Sequence, residues 1–211
     1  MRTTRLNLAM PVSPGLEYAG TDLSYRTARR FVEAQYAQAH NATIECDFPT
    51  LMVVSDHAQQ PLSVAGVRSP LQHFFLEHYL DGSAEQVLSE HFRKPVARQN
   101  IVEIGNLAGS RDRHATTFLL HQTWDYLIRC GFEYLMLTGT CRLLHRFRQL
   151  PLHHLADARA DQIPNPGRWG SYYEESPQVV AGKLAGYDFR FFRRRQPDKY
   201  HFDILTIGDD G

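Results

Sequence analysis

The chain has 211 residues, of which 43% are hydrophobic and 22% are charged, a balance that predicts one globular domain with a substantial core. Lys plus Arg and Asp plus Glu both number 23, so the formal net charge is zero and no global basic field favours a nucleic acid or a membrane surface. The three cysteines have no CxxC spacing, which argues against a disulfide framework and against a zinc knuckle.

The amino-terminal segment lacks a recognisable targeting signal. Residues 1–10 contain two arginines but no apolar core of the kind that a signal peptide requires. No later window reaches the roughly 18 apolar residues that span a membrane. We therefore expect a cytoplasmic protein in a reducing compartment, with no membrane span and no nucleic-acid partner.

A long amphipathic helix is predicted near the amino terminus. After an edge strand at residues 5–10 and a loop, Thr21 and Asp22 are typical of a helix cap, and apolar residues recur at helical spacing as far as about His40. Three arginines give this helix a basic face, Arg26, Arg29 and Arg30. Both a solvated face and a ligand-binding face fit this pattern.

Two strands and a second helix are predicted next. Residues 50–55 and 61–68 are rich in apolar residues and are separated by a polar turn, which predicts an antiparallel hairpin. The aromatic segment 73–81 follows. Ser83 is then placed to cap a helix that ends near Phe92.

The stretch from Ile101 to Gly139 predicts a strand, a helix and a second strand in a right-handed parallel crossover. Gly131 falls where the helix needs a C-terminal cap. Ligands bind beyond the carboxyl ends of such strands, so residues 106–114 and 138–141 are expected at one rim. The order of elements predicts a mixed sheet with helices on its faces.

The carboxyl-terminal third predicts fewer regular elements. A basic helix at residues 142–148 ends before Pro151, residues 153–167 are loop-rich, and residues 178–184 are typical of a short strand. The run Arg190–Arg195 interleaves Phe with Arg. Such a run could bind a nucleic acid, dock an acidic protein partner or simply be exposed to solvent. The zero net charge of the chain weighs against a nucleic acid. No internal repeat or linker divides the chain.

Metal and nucleophile motifs are weak. The histidine pairs His73 and His78, and His114 and His121, lack the i, i+4 spacing of helical metal ligands, so no metal site is predicted. No GxSxG elbow is present, and Cys141 has no flanking motif.

The turn at residues 109–114 is a candidate anion site. A helix begins there, with unpaired amides and the positive end of its dipole, and Arg111 and Arg113 flank it. The alternative is a surface turn whose arginines are solvated.

Four segments resemble the thermostable hemolysin family: residues 101–108, 118–120, 137–140 and 169–174. The resemblance covers roughly residues 20–185. That family is in turn similar to the GNAT fold and to its relatives, the acyl-homoserine lactone synthases and N-acyl amino acid synthases. The resemblance implies an α/β (α+β) fold, with a mixed twisted sheet and helices on both faces, as one GNAT-like domain over residues 1–211.

The resemblance also implies an acyltransferase with an amine-type acceptor and no tightly bound cofactor. Its donor would be a thioester of an acyl carrier protein or of coenzyme A. The implied donor-binding residues are Asn106, Leu107 and Ala108 beside the thioester, and Arg111, Arg113 and His114 beside the phosphate. The turn has a single glycine, Gly109, where the acetyltransferase loop has more, which favours the carrier protein.

The family name implies an alternative, a non-enzymatic membrane-active haemolysin or protein-interaction module. An enzyme needs a deep, partly apolar cleft between the strands that end at Ala108 and Gly139. A filled, closed rim there would favour the alternative.

Three residues are candidates for catalysis. Glu103 matches an acidic residue on the equivalent strand of the lactone synthases, and burial would raise its pKa, so it is the main candidate for a general base. The alternative for Glu103 is a buried ion pair with one of the three arginines of the first helix. Thr138 and Cys141 are further candidates, because the second strand delivers them to the same rim.

Trp169, Tyr172 and Tyr173 are candidates for substrate binding. Three aromatic residues within five positions predict a wall of the acceptor or acyl pocket. The alternative is a small satellite core beneath the loop.

Overall fold

A computed structural model describes residues 22–148, 150–185 and 199–207 of the chain. Its strands are β1 (Thr50–Ser55), β2 (Pro61–Arg68), β3 (Ile101–Gly109), β4 (Tyr134–Gly139), β5 (His153–Asp157), β6 (Gln178–Lys183) and β7 (His201–Thr206). Its α-helices are α1 (Asp22–His40), α2 (Ala84–Phe92), α3 (Arg113–Arg129) and α4 (Cys141–Arg146). The predicted strand at residues 5–10, Thr21 and the run Arg190–Arg195 lie outside the described residues.

The seven strands form one mixed sheet in the order β5-β6-β4-β3-β2-β1-β7. Neighbouring strands are antiparallel except β3 and β4, which are parallel and are connected through α3. The predicted hairpin of β1 and β2 is confirmed with the same bounds, and so is the parallel pairing of β3 with β4.

Helices cover both faces of the sheet. Along β1, Met52 and Val54 join an apolar cluster beneath α3, whereas Leu51 and Val53 join a second cluster beneath α1. This alternation is expected of a strand that is buried on both faces. Full burial of one such side chain contributes roughly 1.5–3 kcal/mol.

Within the described ranges, none of these helices is long and apolar enough to cross a membrane.

The parallel strands β3 and β4 pair over only part of their length. Their ladder joins Ile101–Ile104 to Tyr134–Leu137 and then stops, after which β3 continues beside β2 and β4 beside β6. The register of β3 against β2 shifts next to Asn106, whose φ of 47° lies in the left-handed region. Such a bulge bends its strand. The carboxyl ends of β3 and β4 are therefore not hydrogen-bonded to each other.

The ring of Phe48 packs closely on β2 and β3 beside this bulge. A Cβ atom at Gly66 or at Gly105 would lie 2.3 Å from a carbon of that ring. Because real Cβ atoms do not approach so closely, both positions require glycine. The ring fixes the sheet on the α1 side, next to the point where the strands separate.

The strand β5 corrects the prediction of a loop over residues 153–167. It lies at one edge of the sheet formed by the described strands, where it pairs with β6, and its register shifts between His154 and Ala156. Its residues are exposed or half-buried, so it has no apolar alternation to mark it as a strand.

Candidate active site

A cavity of about 640 Å³ lies between the carboxyl ends of β3 and β4. Leu120 and Trp124 of α3 line it from one face of the sheet, and Tyr36 and His40 of α1 line it from the other. Since α1 and α3 pack on opposite faces, the cavity passes through the sheet where the two strands separate. The predicted cleft between the two strand ends is thus present, and it is open rather than filled.

The end of β4 gives this cavity two hydroxyl groups. Thr140 caps α4, because its Oγ1 accepts a hydrogen bond from the amide of Leu143 at 3.3 Å. Thr138 lines the cavity, and its Oγ1 is shielded from solvent with no hydrogen-bond partner among the described residues. A buried hydroxyl without a partner costs about 1–3 kcal/mol, a cost that a ligand in the cavity would relieve.

Three arginines line the cavity, Arg113 at the start of α3 and Arg142 and Arg146 on α4. The one carboxylate in its described lining is Glu175. The charged side chains of the lining are therefore mostly cationic, which suits a phosphate-bearing ligand.

The amino terminus of α3 is capped by its own chain. Asp112 Oδ1 accepts hydrogen bonds from the amides of His114 at 3.0 Å and Ala115 at 3.4 Å, and its Oδ2 accepts from Tyr200 Oη at 2.8 Å and Lys199 Nζ at 3.2 Å. Burial raises the pKa of Asp112, but these hydrogen bonds outweigh it and lower the pKa overall. Two amides of the predicted anion site are therefore already bound to a carboxylate.

The cavity brings together half of the predicted donor-binding residues. Leu107, Ala108 and Arg113 line it, whereas Arg111 and His114 are exposed and lie outside its lining. Asn106 is also outside the lining and is buried on the α1 side. Burial raises the pKa of the Cys46 thiol there, and a hydrogen bond with Asn106 lowers that pKa by a smaller amount.

Glu103 is buried and bound on both carboxylate oxygens. Its Oε2 accepts a hydrogen bond from the amide of Phe75 at 2.8 Å, and its Oε1 accepts one from Leu76 at 3.0 Å. Burial raises the pKa of Glu103, although Arg68 and the two amides act in the opposite direction. Glu103 does not line the 640 Å³ cavity.

The ion pair of Glu103 is with Arg68 of β2, whose Nη1 lies 3.6 Å from Oε2. This corrects the prediction of a partner on α1. Arg68 also lies 4.1 Å above the ring of Phe48, and its Nη2 is 2.6 Å from Asp47 Oδ1. Arg68 and Asp47 line a second, smaller depression of about 380 Å³.

The aromatic segment divides between the two predicted roles. Tyr172 is buried and forms part of the cavity wall. Trp169 packs instead against Phe75, with ring centroids 5.7 Å apart, and Tyr173 hydrogen-bonds through its hydroxyl to that of Tyr79 at 2.7 Å. The position of Tyr172 therefore favours the predicted pocket wall, whereas the contacts of Trp169 and Tyr173 favour the alternative of a satellite core beneath the loop.

Gly170 and Ser171 hold this segment against the end of α1. Gly170 has a φ of +54°, and a Cβ there would lie 2.0 Å from the carbonyl oxygen of His40. The amide of Ser171 donates to that same oxygen at 2.8 Å. The close approach places Tyr172 and Glu175 opposite the side chain of His40.

His40 and Glu175 form a pair in the cavity wall that the sequence analysis missed. The Nδ1 atom of His40 lies 3.6 Å from Oε1 of Glu175, and only 13% of the histidine side chain is exposed. The two residues are far apart in the chain and belong to no spacing motif. The one signal was the position of Glu175 directly after the aromatic segment.

Cys141 is the least connected of the catalytic candidates. It is exposed at the start of α4, lies outside the cavity lining, and its thiol donates to the carbonyl oxygen of Ser176 at 3.2 Å.

Among the described residues, no group of three or more His, Cys, Asp or Glu side chains is arranged to hold a metal ion.

Comparison with solved structures places this architecture among GNAT-like proteins. FeeM, an N-acyl amino acid synthase from uncultured soil microbes, has a TM-score of 0.57 at 12% identity over 79% of this chain and 94% of its own. BjaI, a CoA-dependent acyl-homoserine lactone synthase solved with SAM and isopentyl-CoA, has a TM-score of 0.55 at 10% identity over 77% of both chains. A putative N-acetyltransferase from Lactobacillus plantarum has a TM-score of 0.50 at 10% identity over 78% of this chain and 93% of its own. At these identities the likeness is one of fold.

Sequence comparison gives the family. No curated protein matches the chain in sequence. The thermostable hemolysin family model matches residues 18–187, most of the chain. The chain therefore belongs to the thermostable hemolysin family.

Proposed function

We propose that this protein is an acyltransferase that moves an acyl chain from a thioester, carried by an acyl carrier protein or coenzyme A, to an amine-type acceptor. The observation that carries the proposal is the cavity that passes through the sheet between β3 and β4. A donor that enters from one face can meet an acceptor that enters from the other. Holding two reactants in this way is a large part of what a transferase supplies.

The structural relatives support this reaction class. One is an N-acyl amino acid synthase and another a CoA-dependent acyl-homoserine lactone synthase solved with SAM and isopentyl-CoA. The open cavity also favours an enzyme over the alternative of a non-enzymatic haemolysin or interaction module, for which the rim would be filled.

In this proposal the arginine-lined part of the cavity binds the phosphate of the donor. Arg113, Arg142 and Arg146 supply guanidinium groups, and each charge-assisted contact contributes roughly 1.5–3 kcal/mol. The α3 amides that would cradle a pyrophosphate are held by Asp112. A single phosphopantetheine phosphate on a carrier protein therefore suits the site better than the longer nucleotide of coenzyme A.

The acyl chain lies in the apolar part of the cavity on the α3 side. The side chains that supply this surface are Leu120, Trp124, Leu135, Leu137, Phe147 and Leu150. The thioester carbonyl is then beside β4, where the hydroxyl of Thr138, which has no partner in the described part of the chain, donates a hydrogen bond to the oxygen that becomes negative during attack.

Glu103 has a structural role in this proposal. Both of its oxygens accept backbone amides, and it lies outside the cavity, so it is not positioned to take a proton from an acceptor bound there. It instead anchors the 3₁₀ helix Phe75–Tyr79 to β3.

The test is a transfer assay with octanoyl-ACP and octanoyl-CoA as donors and a mixture of the common L-amino acids as acceptors, read by thiol release and by mass spectrometry of the product. Native mass spectrometry of protein purified from cells would also reveal a retained acyl product. Thr117→Trp fills the cavity from α3 and is expected to abolish transfer, whereas Asp125→Trp, on the same helix but outside the lining, is expected to retain it. If the protein consumes neither octanoyl-ACP nor octanoyl-CoA, the proposal is refuted.

A further inference from the structure

We propose that His40 is the general base that takes the proton from the attacking amine, and that Glu175 is the positioning residue that orients its ring. This inference rests on the proposed acyl transfer and assigns its proton acceptor. It replaces Glu103, the carboxylate that the sequence had suggested for that task.

The geometry of the pair is that of an oriented imidazole. Nδ1 of His40 faces Oε1 of Glu175 at 3.6 Å, and that nitrogen is shielded from solvent without a closer partner among the described residues. The rings of Tyr36 and Tyr172 lie 5.8 Å and 5.3 Å from the imidazole and pack against it, with 6.0 Å between their own centroids. A proton on Nδ1 is attracted by the Glu175 carboxylate, which leaves Nε2 as the basic nitrogen.

The other groups that line the cavity are poor proton acceptors. Burial raises the pKa of Tyr36 and of Tyr172 far above its ordinary value, so both stay protonated at neutral pH. The arginines Arg113, Arg142 and Arg146 remain cations. In the described lining of the cavity, the imidazole of His40 and the carboxylate of Glu175 are thus the side-chain groups that carry a basic atom, and Glu175 faces the imidazole.

The position of the pair matches the direction of attack. Thr138 lies at the end of β4, while His40 and Glu175 line the part of the same cavity formed by α1 and the segment after Gly170. An acceptor that enters on the α1 side would pass the imidazole before it reaches a thioester beside Thr138.

The chemistry balances with these groups alone. The amine nitrogen forms a bond to the thioester carbonyl carbon, and its proton moves to Nε2 of His40. The C–S bond then breaks, and the imidazolium returns the proton to the leaving thiolate. The products are an amide and a thiol, and His40 is again neutral.

A purely structural role would be to hold the 170s segment against α1. That contact is made by the backbone, because Ser171 donates to the carbonyl oxygen of His40 and not to its ring. Replacing the ring therefore leaves this hydrogen bond in place, and a catalytic effect can be separated from an effect on folding.

The experiment compares His40→Gln and Glu175→Gln with wild-type protein over a range of pH. The donor is octanoyl-CoA or octanoyl-ACP, and the acceptor is either the amino-acid mixture or hydroxylamine, an amine that is already unprotonated at neutral pH. The matched control is His154→Gln. His154 also pairs with a carboxylate, that of Asp157 at 3.0 Å, but it is exposed on β5 and outside the cavity.

His40→Gln is expected to lower kcat with amino acids about 100-fold and to remove the acidic limb of the pH–rate profile, while acylation of hydroxylamine should fall by much less, because this weakly basic nucleophile loses its proton more readily once it has attacked. Glu175→Gln should displace that limb without a matching change in KM, and His154→Gln should resemble wild type. An unaltered rate and pH profile in His40→Gln overturns the inference while the acyl transfer itself stands. If His40→Gln does not fold, an unaltered pH–rate profile in Glu175→Gln also overturns the inference. If wild type acylates neither acceptor, the proposed function fails as well.

Discussion

The guanidinium of Arg68 lies 3.6 Å from the carboxylate of Glu103, and the two residues stand opposite each other in the register of β2 and β3. Both side chains are buried on the face of the sheet away from α3. The same carboxylate holds the amides of Phe75 and Leu76. The carboxylate of Glu103 therefore connects β3, which carries it, to β2 through Arg68 and to the 3₁₀ helix Phe75–Tyr79, next to the smaller depression.

Glu103→Gln is expected to destabilise the fold far more than it slows transfer. The amide keeps the shape, but it removes the buried charge opposite Arg68, which then retains the exposed carboxylate of Asp47, and it replaces an acceptor oxygen with a donor. Breaking a buried pair costs about 3–5 kcal/mol when the remaining charge has no other partner, so the loss expected here is smaller than that. Urea unfolding and kcat per folded molecule are the two measurements. A large fall in kcat at unchanged stability would instead identify Glu103 as the base.

Asp112→Ala is expected to cost about 1 kcal/mol through loss of the cap of α3. The loss should depend on pH. Because the pKa of Asp112 is lowered in the folded protein, its stabilisation is present above the unfolded value of about 3.9 and is lost as the pH falls through the folded value. Unfolding of wild type and variant, measured from neutral to acidic pH, should converge at low pH. A difference that is constant with pH would contradict the ionic cap.

Arg113→Glu with Arg146→Glu should weaken donor binding at least tenfold, because two cationic contacts of the cavity become repulsive. Arg111→Glu is the matched control, since it is exposed close to Arg113 but outside the lining. Titration with octanoyl-CoA and octanoyl-ACP measures the effect. Equal affinities for the double variant and the control would exclude the arginines as phosphate ligands.

The strands and helices that the sequence predicted well are those with a strong apolar pattern. β1, β2, β3 and β4 are short, largely apolar runs because both faces of each strand are mostly buried, and α3 repeats its apolar residues at helical spacing, so local pattern locates them. The strand β5 has no such pattern, because it lies at the edge of the sheet in the described part of the chain and its residues are half-exposed or exposed.

The candidate site was less predictable, because its contacts join distant parts of the chain. Burial of Glu103 follows from its strand, but its partner depends on how β2 pairs with β3, a register that the sequence of β3 alone does not give. The pairing of His40 with Glu175 depends on the approach of Gly170 to the end of α1. Neither relation is encoded in a local spacing.

Thr138→Val is expected to move stability and activity in opposite directions. The valine keeps the branched shape that suits β4 but removes a buried hydroxyl that has no hydrogen-bond partner among the described residues. Stability should therefore be unchanged or slightly higher, since an unmet hydrogen bond is no longer buried. If that hydroxyl donates to the thioester oxygen during attack, kcat should fall by about 100-fold, as for loss of one oxyanion donor.

Thr123→Val is the matched control for Thr138→Val. The Oγ1 of Thr123 in α3 is also buried without a partner among the described residues, but Thr123 lies outside the cavity lining. It should share the effect on stability and leave kcat unchanged. Thermal unfolding and single-turnover transfer with octanoyl-ACP measure the two quantities. Equal kcat values for both valine variants would show that the hydroxyl of Thr138 takes no part in the reaction, whereas a loss confined to Thr138→Val would place the reacting carbonyl beside the end of β4.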